Sequence, residues 1–164
     1  MFDRIERIPA KKLLGRSLKM SLIENRTYSL WSGFMPLRNK IRDRVGDLLY
    51  SIQVYDASLD FKDFSPATTF TKWAAAEVSD FDDLPESLAP YQLKGGLYAV
   101  FIHKGTPASF PKTAQYIFGQ WLPSSDYELD QREHFEVFTS DHKPDDPESE
   151  EEVWIPIKKV NEPG

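Results

Sequence analysis

The sequence predicts an α+β fold built from two similar halves, and three observations lead to this prediction. Several segments alternate apolar and polar residues with period two, which is typical of strands with one buried face. Each half also contains one segment with apolar residues at helical spacing. The order strand–helix–strand–strand then occurs twice, on either side of an acidic connector at residues 79–90. Two such βαββ units are expected to form an antiparallel sheet about a pseudo-twofold axis, with a central ligand cleft between them.

In the first half, a helix is predicted between the first two strands because apolar residues recur three and four positions apart. The strands are predicted at residues 16–22, 48–55 and 68–78. The helical positions are Leu30, Phe34, Leu37, Ile41 and Val45. Pro36 has no N–H and clashes with the preceding turn, so the helix should kink or restart there before it ends at Gly46. The alanines at 74–76 also fit a helix, but the neighbouring threonines and aromatic residues favour a strand.

The second half repeats this order of elements. Strands are predicted at residues 96–103, 134–138 and 153–158, and a helix at residues 110–121. Pro123 should end the helix. Residues 124–133 and 141–152 are predicted to be loops, and the second of these is acidic and solvated. Pro156 cannot donate a hydrogen bond, which predicts an edge position or a bulge for the last strand.

Length and composition limit the possible functions. The 164 residues match a single domain over 1–164, with half-repeats at about 5–78 and 91–158. The net charge of −6 argues against nucleic acid as a direct partner, because phosphate binding needs a basic surface. The chain has no cysteine, no membrane-length apolar segment and no signal-peptide core, which predicts a cytoplasmic protein without membrane contact. It lacks the motifs of phosphate loops, zinc proteases and serine hydrolases, so no cofactor and no metal are expected.

Glu136 is the strongest candidate for a ligand contact. It shares a predicted strand face with Phe138, and an acid among aromatic rings attracts an organic cation through its charge and the ring quadrupoles. The alternative is an ordinary solvated acid, since acids are seldom buried without a partner. The candidate walls of the same cleft are aromatic residues, for each of which core packing is the alternative role. They are Trp73, Tyr98, Trp121, Tyr127, Phe138 and Trp154.

Several stretches together resemble a known family. Residues 95–105 read GGLYAVFIHKG, and they are followed by Tyr116-Ile117, Trp121-Leu122-Pro123, Tyr127 and then Phe135-Glu136-Val137-Phe138. The stretches LWSGFMP at 30–36 and VWIPI at 153–157 match the patterns of a first helix and a last strand. Over roughly residues 6–158 the sequence resembles the GyrI-like (gyrase-inhibitor-like) family, which includes the effector-binding domains of AraC-type transcription activators.

The resemblance implies a duplicated βαββ fold whose central cleft binds small, often cationic and amphiphilic molecules. It also implies a key glutamate at the position of Glu136. Because no helix–turn–helix precedes Met1, the leading hypothesis is a stand-alone effector-binding domain, to which a separate DNA-binding regulator is a conceivable partner.

The resemblance also suggests two other functions. Some relatives hydrolyse reactive cyclopropane-bearing natural products, which would make Glu136 a catalytic acid or base assisted by Tyr127 or Tyr98. One relative binds DNA gyrase, so the third hypothesis is an inhibitor protein that contacts gyrase through the acidic loop 141–152.

Overall fold

The computed structural model describes residues 1–139, 142–143 and 145–160, and this part of the chain forms nine strands and two principal helices. The strands are β1 (Phe2–Ile8), β2 (Lys11–Met20), β3 (Arg44–Val54), β4 (Phe70–Val78), β5 (Ala89–Leu93), β6 (Gly96–Lys104), β7 (Tyr127–Leu129), β8 (His134–Thr139) and β9 (Glu150–Lys159). The helices are α1 (Thr27–Phe34), extended by a 3-10 turn at Met35–Lys40, and α2 (Phe110–Tyr116), extended by a π turn at Ile117–Trp121 and a last turn at Leu122–Ser124. The predicted α+β class is confirmed.

The order of strands in the sheet is symmetric. It runs β1-β6-β9-β8-β3-β4-β2-β5, and β7 pairs with β9 beside this path. The ladders between these strands are antiparallel. One βαββ unit is β2-α1-β3-β4 and the other is β6-α2-β8-β9, and each strand of the first unit has its counterpart at the same distance from the middle. A pseudo-twofold axis therefore passes between β3 and β8, where the two units join.

The strand that precedes each unit pairs with the other unit. β1 pairs with β6, and β5 pairs with β2. Only residues 9 and 10 connect β1 at one edge of the sheet to β2 near the opposite edge, and such a link spans at most about 11 Å between the flanking Cα atoms. The two edges must therefore approach each other. A Cβ built on Gly95 would lie 2.6 Å from the carbonyl carbon of Pro9, which shows how closely the β5–β6 and β1–β2 links cross.

Because its edges meet, the sheet curves around a core of strand residues, which we call the strand core. Its members are Ile8, Leu13, Tyr50, Ile52, Ala75, Leu93, Tyr98, Val100, Phe135, Val137 and Trp154. The other side of the sheet, here called the helical face, carries two separate cores. The first lies under α1 around Leu30 and Phe34, and the second lies under α2 around Ile117.

The first helix is shorter than its apolar spacing predicts. Pro36 lies in the first turn of the 3-10 segment Met35–Lys40, so the helix does restart at this proline. The chain then leaves the helical conformation, turns at Asp43 with a φ of 57°, and enters β3 at Arg44. The alanines at 74–76 form part of a strand, as predicted.

The edge position predicted from Pro156 is wrong, because β9 lies between β6 and β8. The ladder between β8 and β9 ends at the pair Phe135–Trp154, so Pro156 lies beyond the end of β8. Its carbonyl accepts a hydrogen bond from the Asp130 N–H at 3.0 Å on that side. The missing N–H therefore interrupts no ladder bond to β8.

Gly15 should tolerate no side chain. A Cβ built there would collide with the carbonyl oxygen of Ala74 and would lie 2.7 Å from the Cα of Ala75, in the neighbouring strand β4. We expect Gly15→Ala to lower the free energy of unfolding by about 1–3 kcal/mol, the usual cost of overpacking, in urea denaturation followed by circular dichroism.

Gly119→Ala is the matched control for this substitution. Its Cβ would lie 3.9 Å from the nearest atom, Cγ of Gln115, so the added methyl group should be neutral or stabilising in this helical turn. Equal urea midpoints for the two variants would contradict the expectation.

Candidate functional site

Glu136 lies at the centre of the helical face. It is directly opposite Ser51 of β3 and Val153 of β9. Residues paired in this way point to the same side of an antiparallel sheet. Because Val153 belongs to the core under α2, Glu136 faces the helices as well. The side chain is half-buried and lies next to the pseudo-twofold axis, between the two helix cores.

A strip of polar residues crosses the helical face at this point, and we call it the polar strip. It consists of Lys72 of β4, Ser51 and Gln53 of β3, His134 and Glu136 of β8, and Glu151 of β9. Gln53 Nε2 donates to Glu136 Oε1 at 3.5 Å, which is a long hydrogen bond. Glu136 makes no ion pair with any described residue. The strip therefore contains a half-buried carboxylate that forms no ion pair within the described part of the chain, although Lys72 adds one positive charge to the strip.

Glu151 adds a second carboxyl group to the polar strip. It lies two residues before Val153 on the same strand, so it is a diagonal neighbour of Glu136 on the same face, at about 7–8 Å. Burial raises the pKa of Glu151 to about 8, the negative charge of Glu136 contributes to the rise, and the positive charge of Lys72 partly offsets it. The protein environment therefore favours the protonated form of Glu151.

Aromatic side chains close the strip at both ends. At one end Trp31 of α1 packs on Phe138, with ring centroids 5.2 Å apart. At the other end Phe61, from the loop between β3 and β4, stacks on His134 at 5.1 Å, and Phe118 of the π turn lies 6.4 Å from Phe61. Both helices and one loop thus contribute a wall. We call the polar strip with these walls the central groove.

Neither His134 nor Tyr55 neutralises Glu136. Burial, together with the positive charge of Arg132, lowers the pKa of His134 to about 3, so the ring is uncharged at neutral pH. Tyr55 packs against His134 at 5.1 Å, and burial, together with the charge of Glu136, raises the pKa of its hydroxyl. The groove therefore presents an unpaired carboxylate among uncharged rings, an arrangement that suits an organic cation.

Three of the predicted wall residues lie on the opposite side of the sheet. Tyr98 and Trp154 pack against Phe135 in the strand core, with ring centroids at 5.1 and 5.3 Å from that of Phe135. Trp73 packs against the same core. The physical reason is the alternation of side chains along β8, which sends Phe135 and Glu136 to opposite faces. The structure therefore does not bring Tyr98, Trp154 or Trp73 to Glu136.

Trp121, Tyr127 and Phe138 do lie on the helical face, and of these three Phe138 is the one beside Glu136. Trp121 and Tyr127 stack on each other at 6.4 Å, and Trp121 also stacks on a ring of β1 at 5.0 Å, above the outer strands of the second unit. The predicted hydrolytic partners of Glu136, Tyr127 and Tyr98, are thus both away from it.

Sequence reasoning missed Glu151, Trp31, Phe61 and Phe118 as groove residues. The acidic run around Glu151 predicts a solvated loop, but β9 already begins at Glu150. The signal that could have found it is the alternation of the last strand, which continues from its apolar part back to residue 151. Trp31 and Phe118 each follow a buried helix position by one residue, which places them at the margin of their helix.

Metal-binding clusters and membrane-crossing helices are two features that the described residues lack. They contain no group of three or more histidine, aspartate or glutamate side chains that could hold a metal ion. No helix among them is long and apolar enough to cross a membrane. Of the acidic segment 141–152, residues 141 and 144 lie outside the described part of the chain, and residues 150–152 belong to β9.

The raised pKa of Glu151 predicts a pH dependence of stability. Between its ordinary value of 4.5 and about 8, the folded protein holds a proton on Glu151 that the unfolded chain releases. The free energy of unfolding should therefore fall as pH rises through this window, by at most about 1.4 kcal/mol per pH unit for one proton. Urea denaturation across the window measures this slope.

Glu151→Gln should flatten that slope, whereas the exposed neighbour Glu150→Gln should leave it unchanged. A slope in Glu151→Gln as steep as in the wild type would show that Glu151 is not its source.

Comparisons with known proteins show the family of the chain. The chain matches the model of the GyrI-like small molecule binding domain over residues 1–158. It is 27% identical to the transcriptional regulator BrlR of Pseudomonas aeruginosa over 159 residues, which are 96% of this chain and 56% of BrlR. The chain thus spans about half the length of that curated relative.

Two solved structures have the same fold. SAV2435 bound to tetraphenylphosphonium has a TM-score of 0.68 at 12% identity, with 96% of this chain and 94% of that chain covered. The C-terminal domain of EcmrR has a TM-score of 0.70 at 16% identity, with 98% and 99% covered. At such identities the likeness concerns the fold alone. The family model covers nearly the whole chain, and the chain belongs to the GyrI-like small-molecule-binding family.

Proposed function

We propose that this domain binds an amphiphilic organic cation in the central groove, with Glu136 as the counter-ion. Family membership accounts for small-molecule binding in general. The observation that carries the finer proposal is the environment of Glu136, a half-buried carboxylate with no ion pair among the described residues. Taking such a charge out of water without a partner costs several kcal/mol, and a bound cation would offset this cost.

Electrostatics favour a cation with apolar bulk over a small hydrated ion. Two opposite charges 4 Å apart attract each other by about 4 kcal/mol at the effective dielectric constant of a partly buried site. Rings such as those of Trp31, Phe118 and Phe138 add about 0.5–2 kcal/mol for each cation–π contact. A ligand that combines a positive charge with aromatic or aliphatic groups uses both contributions.

The protonated Glu151 gives the groove a second acid that responds to the ligand. An arriving positive charge lowers the pKa of a nearby carboxyl group, because it stabilises the ionised form. A cation would therefore promote loss of the Glu151 proton and would then be held between two carboxylates. The empty groove avoids the repulsion between two ionised acids, and the occupied groove gains their combined attraction.

The loop that carries Phe61 must move for a bulky ligand to reach Glu136. Phe61, Phe118 and His134 stack across one end of the groove. Phe61 sits in a short 3-10 turn, Phe61–Asp63, within a long connection between β3 and β4. Loops of this kind adapt more readily than strands, so this wall is the one expected to open.

The relatives are consistent with this proposal. SAV2435 is bound to tetraphenylphosphonium, a cation surrounded by four phenyl rings, and BrlR is a transcriptional regulator. We propose that this domain takes ligands of similar chemistry and that their binding acts as an effector signal.

Tetraphenylphosphonium should quench the tryptophan fluorescence of the protein in a saturable way, because Trp31 lines the groove. Glu136→Gln should weaken binding by about tenfold or more, which corresponds to loss of about 1.4 kcal/mol of charge attraction. The neutral triphenylphosphine oxide should bind much more weakly than the cation to the wild type.

Glu128→Gln is the matched control, since Glu128 is an exposed acid on β7 and its substitution changes net charge equally. Its affinity should stay within about twofold of the wild type. Equal binding of the neutral compound, or unchanged affinity in Glu136→Gln, would rule out the counter-ion role.

Affinity for the cation should also rise with pH up to about 8 and level off above it, because below this pH the cation must displace the Glu151 proton, whereas above it Glu151 is already ionised. Repeating the titration from about pH 6.5 to about pH 9 measures this rise, which we expect to be several-fold. The rise should be absent in Glu151→Gln. A pH-independent affinity in the wild type would exclude Glu151 from the groove's binding chemistry.

A further inference from the structure

Glu133 is a buried acid outside the central groove. It is 3% exposed, and its Oε2 accepts hydrogen bonds from the Tyr91 hydroxyl at 2.6 Å and from the Lys94 backbone N–H at 3.4 Å. Burial raises the pKa of Tyr91, and the bond to Glu133 raises it further, so this hydroxyl remains a donor. The other oxygen, Oε1, is also buried, and no described residue gives it a hydrogen bond.

The neighbouring Arg132 does not neutralise this acid. Its Nε donates to Asp130 at 2.8 Å, and its other nitrogens donate to backbone carbonyl oxygens, among them those of Gly95 at 2.7 Å and Ile157 at 3.2 Å. Within the described ranges Glu133 forms no ion pair. Native proteins seldom bury a carboxylate oxygen that has neither a hydrogen-bond donor nor a counter-ion.

A cavity of about 420 Å³ lies beside Glu133, at the end of β3 and β8. Its walls are residues 54–61, Tyr91, Lys94 and residues 129–134. The volume is in the range of small-molecule sites and is many times that of one water molecule. With Arg132 and Asp130 paired to each other, the remaining charged groups in the wall are three acids and one lysine. They are Asp56, Asp60, Glu133 and Lys94.

We propose that this cavity is a second binding site, which takes a small alkylammonium compound whose N–H donates to Glu133 Oε1. The excess of acids favours a cation, and the apolar part of the lining, which includes Val54, Leu59 and Leu129, suits a short alkyl chain. An ammonium group can donate several hydrogen bonds, so it suits an oxygen that is already desolvated and lacks a donor. Glu133 is not a member of the polar strip, so this is a separate binding position, although Phe61 and His134 border both the cavity and the central groove.

The test is a titration of the ¹⁵N-labelled full chain with n-butylammonium, with n-butanol as the neutral match, followed by amide chemical shifts. The Lys94 amide is the reporter, because its N–H donates to Glu133. We expect a saturable shift of this amide with the ammonium ion and no saturable shift with the alcohol. The same response to both compounds, no saturable response, or shifts confined to residues of the polar strip would overturn the proposal.

Three variants sharpen the result. Glu133→Gln should weaken ammonium binding about fivefold or more, because a charge-assisted hydrogen bond is lost. Ala57→Trp leaves Glu133 intact and fills the cavity from an exposed wall position, so it should weaken binding as well, even if Glu133→Gln fails to fold. Glu128→Gln, which removes an exposed acid on β7, should leave binding unchanged. Undiminished affinity in Ala57→Trp, or an equal loss in Glu128→Gln, would place the ammonium elsewhere and refute the second site.

Discussion

The pairing of β3 with β8 at the pseudo-twofold axis is the contact on which the functional site depends. It places Ser51 opposite Glu136 at the junction of the two βαββ units. Each unit covers its own half of the helical face, with α1 over one core and α2 over the other. The junction lies under neither helix, so polar side chains can occupy it without the full desolvation of a closed core. Duplication of the unit therefore produces the groove directly, as the gap between two cores.

A single strand serves both sides of the sheet. Phe135 and Val137 are 2% and 6% exposed in the strand core, whereas Glu136 between them faces the groove. A shift of β8 by one residue would exchange these faces and bury an unpaired acid among apolar side chains, at a cost of several kcal/mol. Packing of the strand core thus fixes the register that directs Glu136 into the central groove. Stability and site geometry depend on the same alternation.

The two units could be predicted from the sequence because each element carries its own periodicity. The shared face of Glu136 and Phe138 could be predicted for the same reason, since both lie on one strand. The sequence does not reveal whether Tyr98 and Trp154 lie on the same face of the sheet as Glu136. Their faces depend on the register between strands, and long-range pairing sets that register. Phe61 gave no signal, since side chains in loops follow no period. The pairing of β1 with the second unit and of β5 with the first could not be predicted either. Nothing within the strand that precedes a unit specifies the unit with which it pairs.

Phe61 and His134 lie between the surroundings of Glu136, on β8, and those of Glu133, just before β8. Both residues line the cavity beside Glu133, and their stacked rings also form one end of the central groove. The loop that must shift to admit a ligand at Glu136 is therefore also a wall of the cavity. A ligand in the central groove that fixes the Phe61 loop changes the space in the cavity beside Glu133, and the reverse also holds. Ligands bound as proposed would therefore act on the same conformational equilibrium of this loop. Such coupling is reciprocal. An ammonium bound at Glu133 would change the affinity of the groove for its cation by a certain factor, and the cation would change the affinity of the cavity for the ammonium by the same factor.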